Sequence, residues 1–186
     1  LNFEKSNFII EYSKKNNLSL DISGMFNINN KTFQKYELKN ISKKDYRKIS
    51  LNANIDSKVD IPILNFQKEN KILNIQTNLE ISKKQINLLT FLLKEGKSKI
   101  QIDQMILNKN RLMKFNKILV KTFNNDNTNN DFIISFDKDI KISGTKYDAT
   151  NFTKLLDTNN NSNFFKNVNK QVLVNLNEIK TDNANS

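Results

Sequence analysis

The chain has 186 residues, 37% of them hydrophobic, and a formal net charge of +11 with no His and no Cys. Without thiols there is no disulfide framework or thiolate metal site, and without imidazoles the commonest metal ligand and general acid/base is missing. The charge is compatible with nucleic acid or anionic lipid, but the lysines are scattered, Arg occurs only at Arg47 and Arg111, and no recognition helix, Arg-rich arm or aromatic RNA-binding motif is present.

The chain opens on Leu1 rather than Met, so a fragment is expected, and a leader or anchor could lie upstream. No apolar run approaches the ~18 residues of a membrane helix. The Asn and Lys bias matches A- and T-rich coding, and the positive charge is read first as a solvating surface.

In chain order, Phe8 to Tyr12 reads as a strand. Leu18, Leu20 and Ile22 alternate with polar residues, the period of a half-buried strand. Gly24 is expected to break that run, with a new alternation from Phe26. Phe33, Tyr36, Leu38 and Ile41 form a weaker segment, and Ser42 to Lys48 a loop or one helical turn. Ile49 to Ile55 is a strand. Pro62 lacks a backbone donor, so Asp60 to Lys68 is an edge, a bulge or a connector. Leu73 to Ile81 is the longest alternation in the chain.

Ile86 to Leu93 is an apolar run read as a strand, with Lys94 to Lys97 as a hairpin turn before the alternation from Ile100 to Ile106. Leu112 to Phe123 is another strand candidate. Phe123 to Asp131 (FNNDNTNND) reads as an Asn/Asp-rich loop; it lacks the glycine and terminal glutamate of a calcium-binding EF-hand loop. Phe132 to Phe136 and Ile140 to Gly144 form a hairpin around Asp137 to Asp139. Gly144 frees the backbone at the strand end, Tyr147 and Asp148 close a turn, and Thr150 caps a short helix through Phe152, Leu155 and Leu156. Val172 to Leu176 is a final strand. The carboxylate pairs Asp56 with Asp60 and Asp137 with Asp139 fall in turns, so no enzyme is expected.

Ten or more strands at this spacing give a mainly β protein: a sandwich, a barrel or a long curling antiparallel sheet. A sheet with one apolar face must bury it in a second sheet, a bilayer or an apolar ligand.

The order of motifs resembles a family. Ile61 to Lys68 (IPILNFQK), a strand pair, Leu112 to Phe115 (LMKF), Asn130 to Phe136 (NDFIISF) and Ile142 to Ala149 (ISGTKYDA) together resemble the AsmA-like, DUF3971-containing family of bridge-like lipid transport proteins. The likeness spans Ile49 to Ile179, with Phe66 where the family usually carries Trp.

The resemblance implies a long curved antiparallel β-sheet, a taco-like groove with one or two short helices. Residues 1–186 would be one fragment of it, 145–157 would close one repeat by turn and short helix, and 171–186 would start the next. It implies a periplasmic segment, anchored to the inner membrane elsewhere in its parent, that moves phospholipids between the inner and outer membranes and supports outer-membrane integrity. Acyl chains would lie against Leu73, Ile75, Leu79, Ile100, Ile102, Ile118, Val120, Ile140 and Ile142, with Gly144, Tyr147 and Asp148 as a structural turn. No cofactor and no nucleic acid is implied. The alternative is a non-enzymatic sandwich or solenoid, adhesin-like or with a basic nucleic-acid-binding surface.

Overall fold

The computed structural model describes residues 1–13, 17–28, 31–68, 72–108, 111–151 and 170–181. Its strands are β1 (Asn2–Ser13), β2 (Asn17–Asn27), β3 (Gln34–Ser42), β4 (Tyr46–Ile55), β5 (Asp60–Ile61), β6 (Phe66–Gln67), β7 (Leu73–Ser82), β8 (Ile86–Glu95), β9 (Ser98–Asn108), β10 (Arg111–Lys114), β11 (Lys117–Asn124), β12 (Asn127–Phe136), β13 (Ile140–Asp148) and β14 (Val172–Lys180). They form one large, open, curved sheet in the order β1-β2-β3-β4-β7-β8-β9-β11-β12-β13-β14, with β10 paired to β9. The mainly β, groove-like sheet expected from the sequence is therefore the fold. A closed sandwich is not formed by the described residues, whose second sheet is only the two-stranded β5–β6.

Neighbouring strands join mainly by hairpins because turn chemistry recurs at close intervals. Gly96 takes a φ of 53° in the two-residue loop between Glu95 and Ser98. Asn125 and Asp126 take φ of 49° and 62° between the paired residues Asn124 and Asn127. Two successive left-handed residues are the signature of a type I′ hairpin turn. The expected Asn-rich loop therefore shrinks to two residues, and Asn127 to Asp131 lie in β12.

Other boundaries also move. Gly24 does not end a strand; it lies inside β2, opposite a bulge at Lys5 and Ser6 of β1, where Lys5 has a φ of 49°. The weak segment around Tyr36 is β3, and Ser42 to Tyr46 is its hairpin turn to β4. Leu112 to Phe123 divides into β10 and β11. Gly144 lies within β13, and Tyr147 and Asp148 are that strand's last residues rather than a turn. Residues 149–151 after them are not helical, and the rest of the expected helix lies outside the described residues. The helical element among the described residues is a single 3₁₀ turn at Pro62–Leu64, with Pro62 in its first turn. It sits in the connector that the proline predicted.

Every pairing along the sheet is antiparallel except the last: β14 runs parallel to β13, with Ile142 beside Val174. The buried apolar side chains start at Phe66 and concentrate in β7 to β13. One cluster holds Phe66, Leu73, Leu93, Ile100, Val120 and Phe132, the other Met105, Leu112, Phe115 and Phe136. No buried apolar side chain is found in β1 to β4.

Candidate functional site: an apolar sheet face with a plug at one rim

Side chains alternate across a strand, so strand register decides which residues share a face. The partners across the whole sheet run Phe8, Ile22, Leu38, Leu51, Thr77, Phe91, Ile102, Ile118, Ile134, Ile142, Val174. Thr77 is the one polar member of this row. Two residues along, the partners Ala53, Ile75, Leu93, Ile100, Val120, Phe132, Gly144 and Leu176 form a parallel row. Leu79 pairs Leu88, which pairs Met105, with Leu89 left over as a bulge that keeps the apolar residues on the same side. Ile140 packs with Phe136 and Met105 in the second cluster.

All nine candidate apolar residues thus lie on one face, brought together from β7, β9, β11 and β13. Leu73, Ile100 and Val120 are buried within the first cluster; Ile75, Leu79, Ile102, Ile118, Ile140 and Ile142 are half-buried. Sequence reasoning missed Phe91, Ile134 and Leu88, which complete the rows from β8 and β12.

Buried apolar side chains close the face at its two rims. At one, β10 pairs with β9 in line with β11, and Leu112 and the following Phe115 cluster with Met105 and Phe136; the Phe115 and Phe136 rings stand 5.3 Å apart. At the other rim the connector from β4 to β7 forms a plug. Phe66 is fully buried against Leu73, Leu93, Ile100, Val120 and Phe132, with Val59, Ile61 and Leu64 around it. Lys68 donates its backbone N–H to the Val59 carbonyl, and its buried ammonium donates to the Asp56 carbonyl. The alternation Pro62, Leu64, Phe66, Lys68 in the resembling motif therefore has a physical meaning: a turn start, two apolar anchors and a closing lysine.

The second motif meets the first at this rim. The Tyr147 hydroxyl donates to the Ile63 carbonyl at 2.9 Å, and its ring lies edge-to-face on Phe132 at 5.3 Å. Burial, with Asp148 beside it, raises the Tyr147 phenol above its ordinary value. Asn65, in the left-handed conformation at φ 43°, donates its amide to Asp148 at 3.0 Å. The Asn130 amide, fully buried, donates to the Leu64 carbonyl at 2.6 Å and to Thr122 at 2.8 Å, while its oxygen accepts the Asp148 backbone N–H. Asn129 and Asn124 donate to the Asn65 carbonyl. Burial alone would raise the Asp148 carboxyl; hydrogen bonds from Thr150 and Asn65, with Lys180 at 3.7 Å, outweigh it and hold the group below its ordinary 3.8. Asp148 is thus a satisfied structural carboxylate.

Gly144 is fixed by space, not by conformation. A Cβ there would stand 2.3 Å from the Asp131 carbonyl oxygen and 2.5 Å from the Phe132 Cα, beside a bulge that leaves Thr145 unmatched.

The opposite face is polar over β2 to β4 and β7, and carries Leu92, Leu119 and Ile133 among polar residues on β8, β11 and β12. A hollow of about 570 Å³ lies on it over β1 to β4 and β7, lined by Asp21, Glu37, Lys39, Asn52, Gln76 and Asn78. Over that half the hollow side of the sheet is the polar one, so the uncovered apolar strip relevant to a greasy ligand is that of β7 to β13. Among the described residues no three carboxylates converge to hold a metal ion.

No family model, curated protein or solved structure matches this chain, so the family likeness rests on the order of its sequence motifs alone.

Proposed function

We propose that this chain is a segment of a periplasmic bridge-like protein that moves phospholipids between inner and outer membranes, with acyl chains lying on the apolar face of β7 to β13. The observation that carries this reading is the register, which places Ile75, Ile102, Ile118, Ile142 and their partners on one side of an open sheet. The strip runs across the strands between the plug and the β10 rim. Six strands spaced about 4.8 Å apart span roughly 24 Å, more than the roughly 15 Å of an acyl chain crossing half of a ~30 Å hydrocarbon core. A chain would fit with length to spare, its headgroup left in water. Each shielded methylene contributes about 0.8 kcal/mol. A sequence of near-equivalent apolar positions lets a chain slide without a deep minimum, so transport needs no chemical step from the protein.

The test is lipid occupancy. The chain is purified from cells without detergent, extracted with organic solvent and assayed for phospholipid, alongside Ile102→Glu on the strip and Lys117→Glu on the polar face. Phospholipid with the parent and Lys117→Glu, and its loss from an Ile102→Glu protein that keeps its β-sheet circular dichroism, is the expected result. Absence of phospholipid from the parent, or equal amounts in all three, removes the proposal.

A further inference from the structure

All three Lys–Lys doublets of the chain occur in one motif, Ser-Lys-Lys: Ser13-Lys14-Lys15, Ser42-Lys43-Lys44 and Ser82-Lys83-Lys84. The hairpins gather what the sequence scatters. Ser13 closes β1, Ser42 closes β3 and Ser82 closes β7. Register runs Tyr12, Leu18, Ser42, Arg47, Ile81 from strand to strand, so the three serines lie at the β10 rim within one residue of the same height. Lys14 and Lys15 lie outside the described residues; the other two doublets are exposed in the β3–β4 and β7–β8 turns.

The motif closes a turn without using its lysines' side chains. Ser82 donates its backbone N–H to the Gln85 carbonyl at 2.9 Å, and its hydroxyl accepts the Gln85 N–H at 3.2 Å. Lys43 donates its N–H to the Tyr46 carbonyl at 2.9 Å. The same rim holds both arginines of the chain, exposed: Arg47 is level with Ile81, and Arg111 pairs Asn108 at the end of β9. None of Lys43, Lys44, Arg47, Lys83, Lys84 and Arg111 forms an ion pair among the described residues, and Asp45 is the one carboxylate in the two turns.

At the plug rim neighbouring turns neutralise each other: Lys97 in the β8–β9 turn reaches Asp126 in the β11–β12 turn at 3.1 Å. The β3–β4 and β7–β8 turns are neighbours in the same way, because β4 pairs β7. Their centres are two strand spacings apart, roughly 10 Å, yet both carry paired lysines. Like charges within about a Debye length, ~10 Å in 0.1 M salt, repel. An external polyanion relieves that cost.

We infer that this rim docks on an anionic bilayer surface. The charge is complementary, and a lysine near such a surface strengthens binding about fivefold. The cations lie in a line along the edge of a sheet, a shape that meets a plane. Beside them stand Leu18 and Met113, 40% and 54% exposed, which can enter the headgroup layer while the long lysines stay at the phosphates. A nucleic acid fits less well. Its bases need an open aromatic face to stack on, and the ring beside these turns, Tyr46, already holds the ammoniums of Lys43 and Lys48 at 5.4 and 5.6 Å. The inference uses internal hairpins and stands whether or not acyl chains occupy the strip.

The experiment is co-sedimentation of the full 186-residue chain with phosphatidylcholine vesicles and with equimolar phosphatidylcholine–phosphatidylserine vesicles, in low and high salt. One variant carries Lys43→Gln, Lys44→Gln, Lys83→Gln and Lys84→Gln. A control with the same charge carries Lys31→Gln, Lys35→Gln, Lys58→Gln and Lys94→Gln, exposed lysines away from this rim. The parent should bind the mixed vesicles and not phosphatidylcholine alone, less in high salt. The rim variant should bind roughly 100-fold or more weakly, and the control should lose about tenfold or less because its charges are screened from the surface. The chain has no Cys, so an environment-sensitive fluorophore on Lys83→Cys gives a second readout. Its emission should shift to the blue on mixed vesicles, and that of the same label on Lys97→Cys at the plug rim should not. No binding of the parent to mixed vesicles, equal binding to both vesicle types, equal loss in the two variants, tighter binding of the parent to duplex DNA or single-stranded RNA than to mixed vesicles, or equal responses of the two labels overturns the inference. Should the rim variant lose its β-sheet circular dichroism, the labelled pair decides.

Discussion

Truncating Phe66 to alanine tests whether the plug is an integral part of the core or a loop resting on it. The ring is fully buried among Leu73, Leu93, Ile100, Val120 and Phe132. A buried aromatic removes roughly 150–250 Å² from water, worth about 4–6 kcal/mol at 25 cal/mol per Å² as an upper bound. Truncations of this kind cost about 3–5 kcal/mol, and a loss near 4 kcal/mol is the expected value. Against a total stability of about 5–15 kcal/mol, that leaves a folded but weakened protein. Urea unfolding of the parent and Phe66→Ala measures the loss, and hydrogen exchange locates it. The Lys68 and Asp148 amides, which donate to the Val59 carbonyl and to the Asn130 side chain, should lose protection first. Amides of the β8–β9 ladder should keep most of theirs. A loss under about 1 kcal/mol, with Lys68 and Asp148 still protected, would refute the account of the plug as anchored by Phe66.

Three further outcomes follow from the same geometry. Gly144→Ala should lower stability by about 3 kcal/mol, the upper end for overpacking, because the added Cβ meets the backbone of Asp131 and Phe132; Gly24→Ala should cost less in the same thermal melts, since its nearest atoms, 2.9 Å away, belong to Ser6 on an edge strand that can shift. Asp148 is held below its ordinary 3.8, so its contribution is present above that pH and is lost as pH falls through the folded value; Asp148→Asn should be less stable than the parent at pH 7, and the gap should close in acid unfolding at pH 2. Asp126 has a φ of 62° and an exposed ion pair to Lys97, so Asp126→Gly should raise the melting temperature slightly, a gain of roughly 0.5 kcal/mol from the relieved turn against little lost from the pair.

The strands were legible because period-two alternation is local: Leu73 to Ile81 shows its two faces in nine residues without reference to any partner. That the candidate residues of four strands share one face is a matter of register, and register followed because short hairpins leave few alternatives. The failures have physical causes too. Asn129 and Asn130 carry the composition of a loop, and only the buried carbonyls of Leu64 and Asn65 make their amides interior groups. A signal did exist there, since Asn130, Phe132, Ile134 and Phe136 keep one parity and extend the strand backwards. Gly144 reads as a strand end because close approach by the neighbouring strand leaves no trace in local sequence. Neither Ile61 to Lys68 nor Ile142 to Ala149 shows by itself that Asn65 meets Asp148 across 83 residues of chain. The parallel direction of β14 had no local sign at all, because β propensity is indifferent to direction.

The position of the plug in the chain gives the sheet a mechanical polarity. Force applied at the N-terminus meets β1, β2, β3 and β4 in turn, and these strands carry no buried apolar side chain. Each can peel away one ladder at a time against small resistance. The next segment in line is the connector, and it cannot move until Phe66 leaves its pocket and the Asn130, Asn129 and Tyr147 bonds to its carbonyls break together. Unzipping from that side therefore arrests between β4 and β7. A pulling experiment should record several weak steps and then one strong event, with the β7 to β13 strip still assembled behind it.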